Sequence, residues 1–174
     1  MIIVPPTKEK FGYYDKYIAE ANCVDLMKGM HDTHIETQQY ILSLPEDVLN
    51  YRYEKDKWTI KEIMGHLMDC EIVFMYRALR FARKDKTPLP GFDENLYAQT
   101  SNAGSRDIMD LMREYDIVRN TTIHLFKTFD EKMLDEKGVA NELTMTPRAL
   151  GYSILGHEVH HIGVIKERYV KLVL

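Results

Sequence analysis

Four stretches of this chain space their apolar residues three and four positions apart, and each is punctuated by proline, glycine or a helix-capping residue. That rhythm puts one apolar stripe on an α-helix. The two-residue alternation of a half-buried strand is hard to find anywhere, so the chain reads as all-α. The first stretch runs from about Asp15 to Leu44, with Ile18, Ala21, Met27, Met30, His34, Ile41 and Leu44 roughly on one side, and Pro45 ends it. The second runs from about Thr59 to Arg83. It opens on Thr59-Ile60-Lys61-Glu62, a capping box in which Thr59 accepts from an early backbone N–H and Glu62 reaches back. The third runs from about Ser105 to Phe129, with Ile108, Leu111, Met112, Tyr115, Val118, Ile123 and Phe126 on its apolar side. The fourth runs from about Pro147 to Val173, where Thr146-Pro147 supplies a capping hydroxyl and a proline in the first turn.

Four helices that each bury one stripe predict a four-helix bundle. The connections Asp85–Gly104 and Asp130–Thr146 exceed the ~2–8 residues of simple up-and-down bundles. They permit a crossover topology and can cover one end of the bundle. Within the first of them, Lys86–Gly91 carries Pro88 and Pro90 and reads as an ordered extended stretch. The 174 residues fit a single domain, 1–174.

Charge and hydropathy narrow the partners. Lys and Arg number 23 against 27 Asp and Glu, a formal charge of −4, and the short basic clusters at Arg77–Lys86 and Lys166–Lys171 are diluted by acids. No nucleic-acid partner is expected. No run approaches the ~18 apolar residues of a membrane span. Residues Met1–Pro6 lack the basic start and long apolar core of a secretory signal. Cys23 and Cys70 cannot make a disulfide framework, and a cytoplasmic location is expected.

The chemistry concentrates in Gly156-His157-Glu158-Val159-His160-His161, where three of the seven histidines fall in five positions. His157 and His161 are four apart, so both leave one helix face a turn apart and can share one divalent cation. The same five residues match the H-E-x-x-H pattern of zinc proteases, in which the glutamate, here Glu158, is the general base. The extended protease pattern would place Gly at 164 and His at 167, where this chain has Val164 and Glu167. A third imidazole can come from the second helix. His66 lies on the stripe Ile63, His66, Cys70, Val73, Arg77, which should face the core, and His157 and His161 share a stripe with Ile154, Val164 and Arg168. Three imidazoles from two helices leave coordination positions for water or substrate, as in catalytic sites.

Two segments carry a resemblance. Trp58 to Glu71, WTIKEIMGHLMDCE, and Thr146 to Tyr169, TPRALGYSILGHEVHHIGVIKERY, resemble the helix-two and helix-four signatures of the DinB/YfiT-like superfamily. The resemblance implies a four-helix bundle of unusual connection order. It also implies a metal triad of one helix-two histidine and an H-x-x-x-H pair, here His66, His157 and His161. The cation would be zinc or nickel first, then manganese or iron. Activities in the family include S-transferases using low-molecular-weight thiols (bacillithiol, mycothiol, glutathione), a maleylpyruvate isomerase and proposed hydrolases. The implied function is therefore a metal-dependent thiol S-transferase or hydrolase acting on a small electrophile, with a thiol co-substrate and a homodimeric assembly. Two alternatives stand beside it: a non-catalytic metal- or small-molecule-binding module associated with stress or detoxification, and the zinc protease.

The neighbouring residues have plainer readings. Glu158 is the candidate catalytic base if it faces the cation, and otherwise a hydrogen-bond acceptor behind the ligands. His160 is a competing ligand or a packing residue. Cys70 reads as a buried inert thiol ahead of a thiolate ligand, and Arg77 and Arg168 as charges that pair with carboxylates or snorkel to the helix end, ahead of binding a substrate anion. Trp58 is expected to staple the start of its helix.

Overall fold

Two capped starts set the frame. The Thr59 hydroxyl accepts from the Glu62 amide at 3.2 Å while the Glu62 carboxylate accepts from the Thr59 amide at 2.7 Å. The Thr146 hydroxyl accepts from the Ala149 amide at 3.1 Å. In the computed structural model, which describes residues 2–6 and 10–170, these caps open helices α4 (Ile60–Ala82) and α8 (Pro147–Val164). The other helices are α1 (Tyr14–Glu20), α2 (Leu26–Leu42), α3 (Glu46–Leu49), α5 (Glu94–Thr100), α6 (Ile108–Lys127) and α7 (Glu131–Leu134). Helix α8 runs on into a π-helical segment, Ile165–Val170. The expected end at Val173 lies outside the described residues.

The first expected helix is in fact two. Asn22 adopts a left-handed conformation, φ +41°, and Asp25 is extended, its carboxylate accepting from the Met27 amide to start α2. Asparagine tolerates that backbone and aspartate is a strong N-cap, so 22–25 break what apolar spacing alone runs together. Helix α1 is freed to lie along α8. Gly156 permits the approach: a Cβ there would stand 1.7 Å from the Tyr17 carbonyl oxygen.

Helix α2 packs on α6 and α8, and α4 packs on the same two. The order around the bundle is therefore α2, α6, α4, α8, with α2 diagonal to α4. The chain crosses the bundle from α2 to α4 through 43–59 and again from α6 to α8 through the second of the two long connections, while the first, 85–104, joins the neighbours α4 and α6. The last connection also holds a small hairpin of β1 (Gly138–Ala140) and β2 (Leu143–Met145), paired antiparallel. Its turn places Asn141 and Glu142 at φ +48° and +65°, the hand that suits a two-residue hairpin. Strands of three residues are too short to show alternation in sequence. Leu89 bridges to Ala140 through backbone hydrogen bonds at 2.9 and 3.0 Å, so the stretch around Pro88 and Pro90 is ordered and extended.

The core is divided. One apolar cluster gathers Tyr14, Met30, Phe74, Phe81, Phe126 and Leu155. The other gathers Ile41, Ile63, Met64, Met112, Tyr115 and Ile165. Between them each bundle helix contributes buried polar groups: Thr37 and His34 from α2, His66 and Glu71 from α4, Arg119 and Thr122 from α6, His157 and Glu158 from α8. A polar layer thus crosses the bundle at mid-height, and the candidate site grows out of it.

Candidate metal centre

Helical spacing aims His157 and His161 the same way, and the contact of α4 with α8 brings His66 to meet them. The Nε2 atom of His157 lies 3.1 Å from Nε2 of His66 and 3.1 Å from Nε2 of His161. All three ligand atoms fall within 4.8 Å of one another. Imidazole nitrogens bound to one zinc at ~2.0–2.1 Å stand ~3 Å apart, so the trio fits a single ion.

Electrostatics favour the same fit. Burial pushes the His66 pKa down to about 4. Burial, with His66, His160 and Lys16 nearby, pushes His161 down to about 3. His157 is held well below the usual histidine value by burial and then by its histidine neighbours. Three neutral imidazoles with converging lone pairs repel one another unless a cation or a shared proton sits between them. The donor set is all nitrogen, which suits zinc, nickel, iron or copper-type ions more than calcium or magnesium.

The rings form part of the wall of a cavity of about 450 Å³. Helix α1 adds Tyr14 and Tyr17, the residue just before it adds Tyr13, and α4 adds Cys70, Phe74 and Arg77. The 85–104 connection adds Phe92 and Glu94, and the hairpin turn adds Asn141. Both long connections therefore close over the site, as their length suggested. Trp58 does more than staple a helix: its ring lies 4.6 Å from the His66 ring and lines the cavity. Tyr17 meets His157 edge-on at 5.1 Å. Cys70 Sγ is 3.7 Å from His66 Nδ1, and burial pushes its thiol pKa up, so it stays protonated.

Glu158 faces elsewhere. Its two oxygens accept from the Tyr115 hydroxyl and, at 2.6 Å, from Arg119, with Thr33 at 3.3 Å, and it does not line the cavity. Burial works to raise its pKa, but the Arg119 charge and hydrogen bonds from Thr37, Tyr115 and Arg119 outweigh that and leave it lowered. One residue of separation turns Glu158 about 100° from His157, which sends it into the polar layer. His160 also lies outside the trio. Its Nδ1 stands 3.0 Å from a Glu20 carboxylate oxygen, and its ring meets Tyr17 edge-on.

Arg119, buried in α6, belongs to none of the motifs that stand out in the sequence. It pairs with both oxygens of Glu71 at 2.9 and 2.8 Å, with Glu158, and with Met30 O and Thr33 Oγ1 at 3.2 Å, so every donor is used. The available signal was a lone arginine among the apolar residues of α6. Tyr13, Tyr14 and Tyr17 gave no such signal, because only tertiary packing turns α1 onto the site.

The sequence profile of the DinB superfamily matches residues 30–165. A protein of Oceanobacillus iheyensis named "Putative metal-dependent hydrolase" is 23% identical over 128 residues, 71% of this chain and 72% of its own. YfiT from Bacillus subtilis, described as a probable metal-dependent hydrolase with an unusual four-helix bundle topology, superposes with a TM-score of 0.72 at 15% identity. The superposition covers 97% of this chain and 94% of YfiT and shows the shared fold.

Proposed function

The chain belongs to the DinB superfamily, and from that membership we propose that it is a divalent-metal-dependent enzyme acting on a small molecule. Hydrolysis is the reaction the names of its relatives favour. Transfer of a low-molecular-weight thiol to an electrophile is the second reading, with the same site. One observation carries the proposal: the Nε2 atoms of His66, His157 and His161 converge in the wall of a cavity open to solvent on one side.

When bound, the cation, with zinc or nickel preferred and manganese or iron next, supplies Lewis acidity that makes water or a thiol nucleophilic near neutral pH. The protein's own part is to hold three neutral nitrogens in place, to wall off bulk water with aromatic rings and to receive a small substrate. A thiol nucleophile would come from a co-substrate, since burial keeps the Cys70 thiol protonated. Glu158 acts here as a positioning group: bound by Arg119 and Tyr115, it fixes the turn of α8 that carries His157. That placement weighs against the protease reading, which needs the glutamate beside the ion's open positions. The assembly we propose is a homodimer, which sedimentation equilibrium checks.

Metal analysis tests the reading. Wild type should take up one equivalent and His66→Ala less than about a tenth of it, as loss of one of three ligands predicts; equal metal content in both removes His66 from the site. Metal-dependent turnover of simple esters then marks a hydrolase, and thiol-dependent turnover of chloronitrobenzene marks a transferase. Full metal loading with neither marks a binding module.

A further inference from the structure

We propose that Arg77, with the Tyr14 hydroxyl, forms a carboxylate-binding subsite in the cavity that the three histidines also line. The proposal rests on the metal-centre reading for its functional meaning, because it names the class of substrate which that site receives.

Three arginines are buried among the described residues: Arg77, Arg119 and Arg148. Arg119 is neutralised by Glu71 and Glu158, and Arg148 by Glu131 and Asp135. Arg77, only 3% exposed, makes no ion pair among the described residues. Its Nη1 donates to the Tyr14 hydroxyl at 3.2 Å and its Nη2 to the Pro90 carbonyl at 2.9 Å. A guanidinium has five N–H donors, so capacity and charge are both left over. A buried charge without a partner is costly, and this one lines the cavity. The fold has answered the same problem twice elsewhere with paired carboxylates. Here it leaves the place open to an anion from outside.

Geometry defines what fits. Phe74 neighbours both groups, its ring 6.2 Å from the His157 ring and 5.9 Å from the Arg77 guanidinium carbon. Phe92 lies 5.8 Å from that carbon on another side. A ligand spanning the cavity would place its reacting group at the histidines, an apolar body about one ring long against Phe74, and an anionic end at Arg77. One guanidinium, with no lysine or second arginine in the lining, suits a monoanion. The exposed carboxylate of Glu94 at the same cavity disfavours a dianion. A carboxylate meets these terms and offers the bidentate geometry guanidinium prefers.

The test is titration calorimetry with 3-phenylpropanoate, its neutral twin 3-phenylpropanamide, and inorganic phosphate. It is run on the zinc-loaded and the chelator-treated full chain. The carboxylate should bind wild type at least about tenfold tighter than the amide in both states, the scale of a charge-assisted contact. Arg77→Gln should bring the two within about twofold, and Arg77→Lys should restore part of the preference. In wild type, where no substitution disturbs the fold, the carboxylate and not the amide should shift the Arg77 Nε–H resonance. Equal binding by wild type, or a preference that survives Arg77→Gln, overturns the proposal. So does phosphate binding tighter than the carboxylate. A preference seen only with zinc and indifferent to Arg77→Gln puts the carboxylate on the metal: the subsite falls and the metal centre stands. A preference at Arg77 in a chain that takes up no zinc keeps the subsite and removes the metal centre.

Discussion

Arg77 and Arg119 are buried in the same bundle, yet one is enclosed by carboxylates and the other faces open space. At the residue scale this contrast separates structure from function. Arg119 gathers Glu71, Glu158 and Thr33 into a closed network, and breaking such a pair by removing one partner typically costs ~3–5 kcal/mol. His34 belongs to the same polar layer. Burial lowers its pKa, the Arg119 charge adds to that, and Asp116, 3.1 Å away, opposes it. The folded chain therefore refuses a proton that the unfolded chain accepts near pH ~6.5. This contribution to stability is full above that value and is lost as the pH falls below it. For the metal-loaded protein, His34→Gln should flatten the decline in unfolding free energy from about pH 6.5 to 5. Urea unfolding at stepped pH checks this, and identical declines would remove His34 from the acid response.

At the scale of elements, the deciding contact is α1 against α8. Because a Cβ on residue 156 would collide with the Tyr17 carbonyl, glycine alone lets the two helices touch. That contact carries Tyr13, Tyr14 and Tyr17 to the cavity and sets Tyr17 edge-on to His157. Gly156→Ala should destabilise the protein by ~1–3 kcal/mol, as overpacking does, and push α1 outward. Denaturant unfolding measures the cost; an unchanged midpoint would show that α1 is not held there. Helices α4 and α8 were readable because their starts are written in local chemistry, Thr59 with Glu62 and Thr146 with Pro147. The break at Asn22–Asp25 was hidden because apolar spacing continues across it, while the left-handed residue and the cap that stop the helix involve no apolar side chain. The hairpin at 138–145 was hidden because three-residue strands cannot show a period.

At the scale of the whole molecule, the polar layer sits between two apolar clusters, so a cation held there ties α4 to α8 across the middle of the bundle. Binding that favours the folded state adds stability by mass action. At a free zinc concentration ~100-fold above Kd this amounts to ~2.7 kcal/mol, or ~5–10 °C in Tm for a domain of this size. Thermal melts with zinc and with chelator should show that gap in wild type and no gap in His66→Ala. A wild-type melt unmoved by zinc would argue against a metal that bridges the two helices. No helix of the described residues is long and apolar enough to cross a membrane, which agrees with the hydropathy of the sequence. What the sequence by itself determined was local: where the main helices start, which stripe each buries, and that His157 and His161 leave one face together. Those follow from the 3.6-residue turn and from capping groups a few positions away. Tertiary structure alone decided that the His66 ring arrives 3.1 Å from a ring 91 positions later, that Glu158 turns toward Arg119, and that α1 and the two long connections line the cavity. Those depend on which helices become neighbours, and that is settled by packing across the whole core, to which no single stretch of chain holds the key.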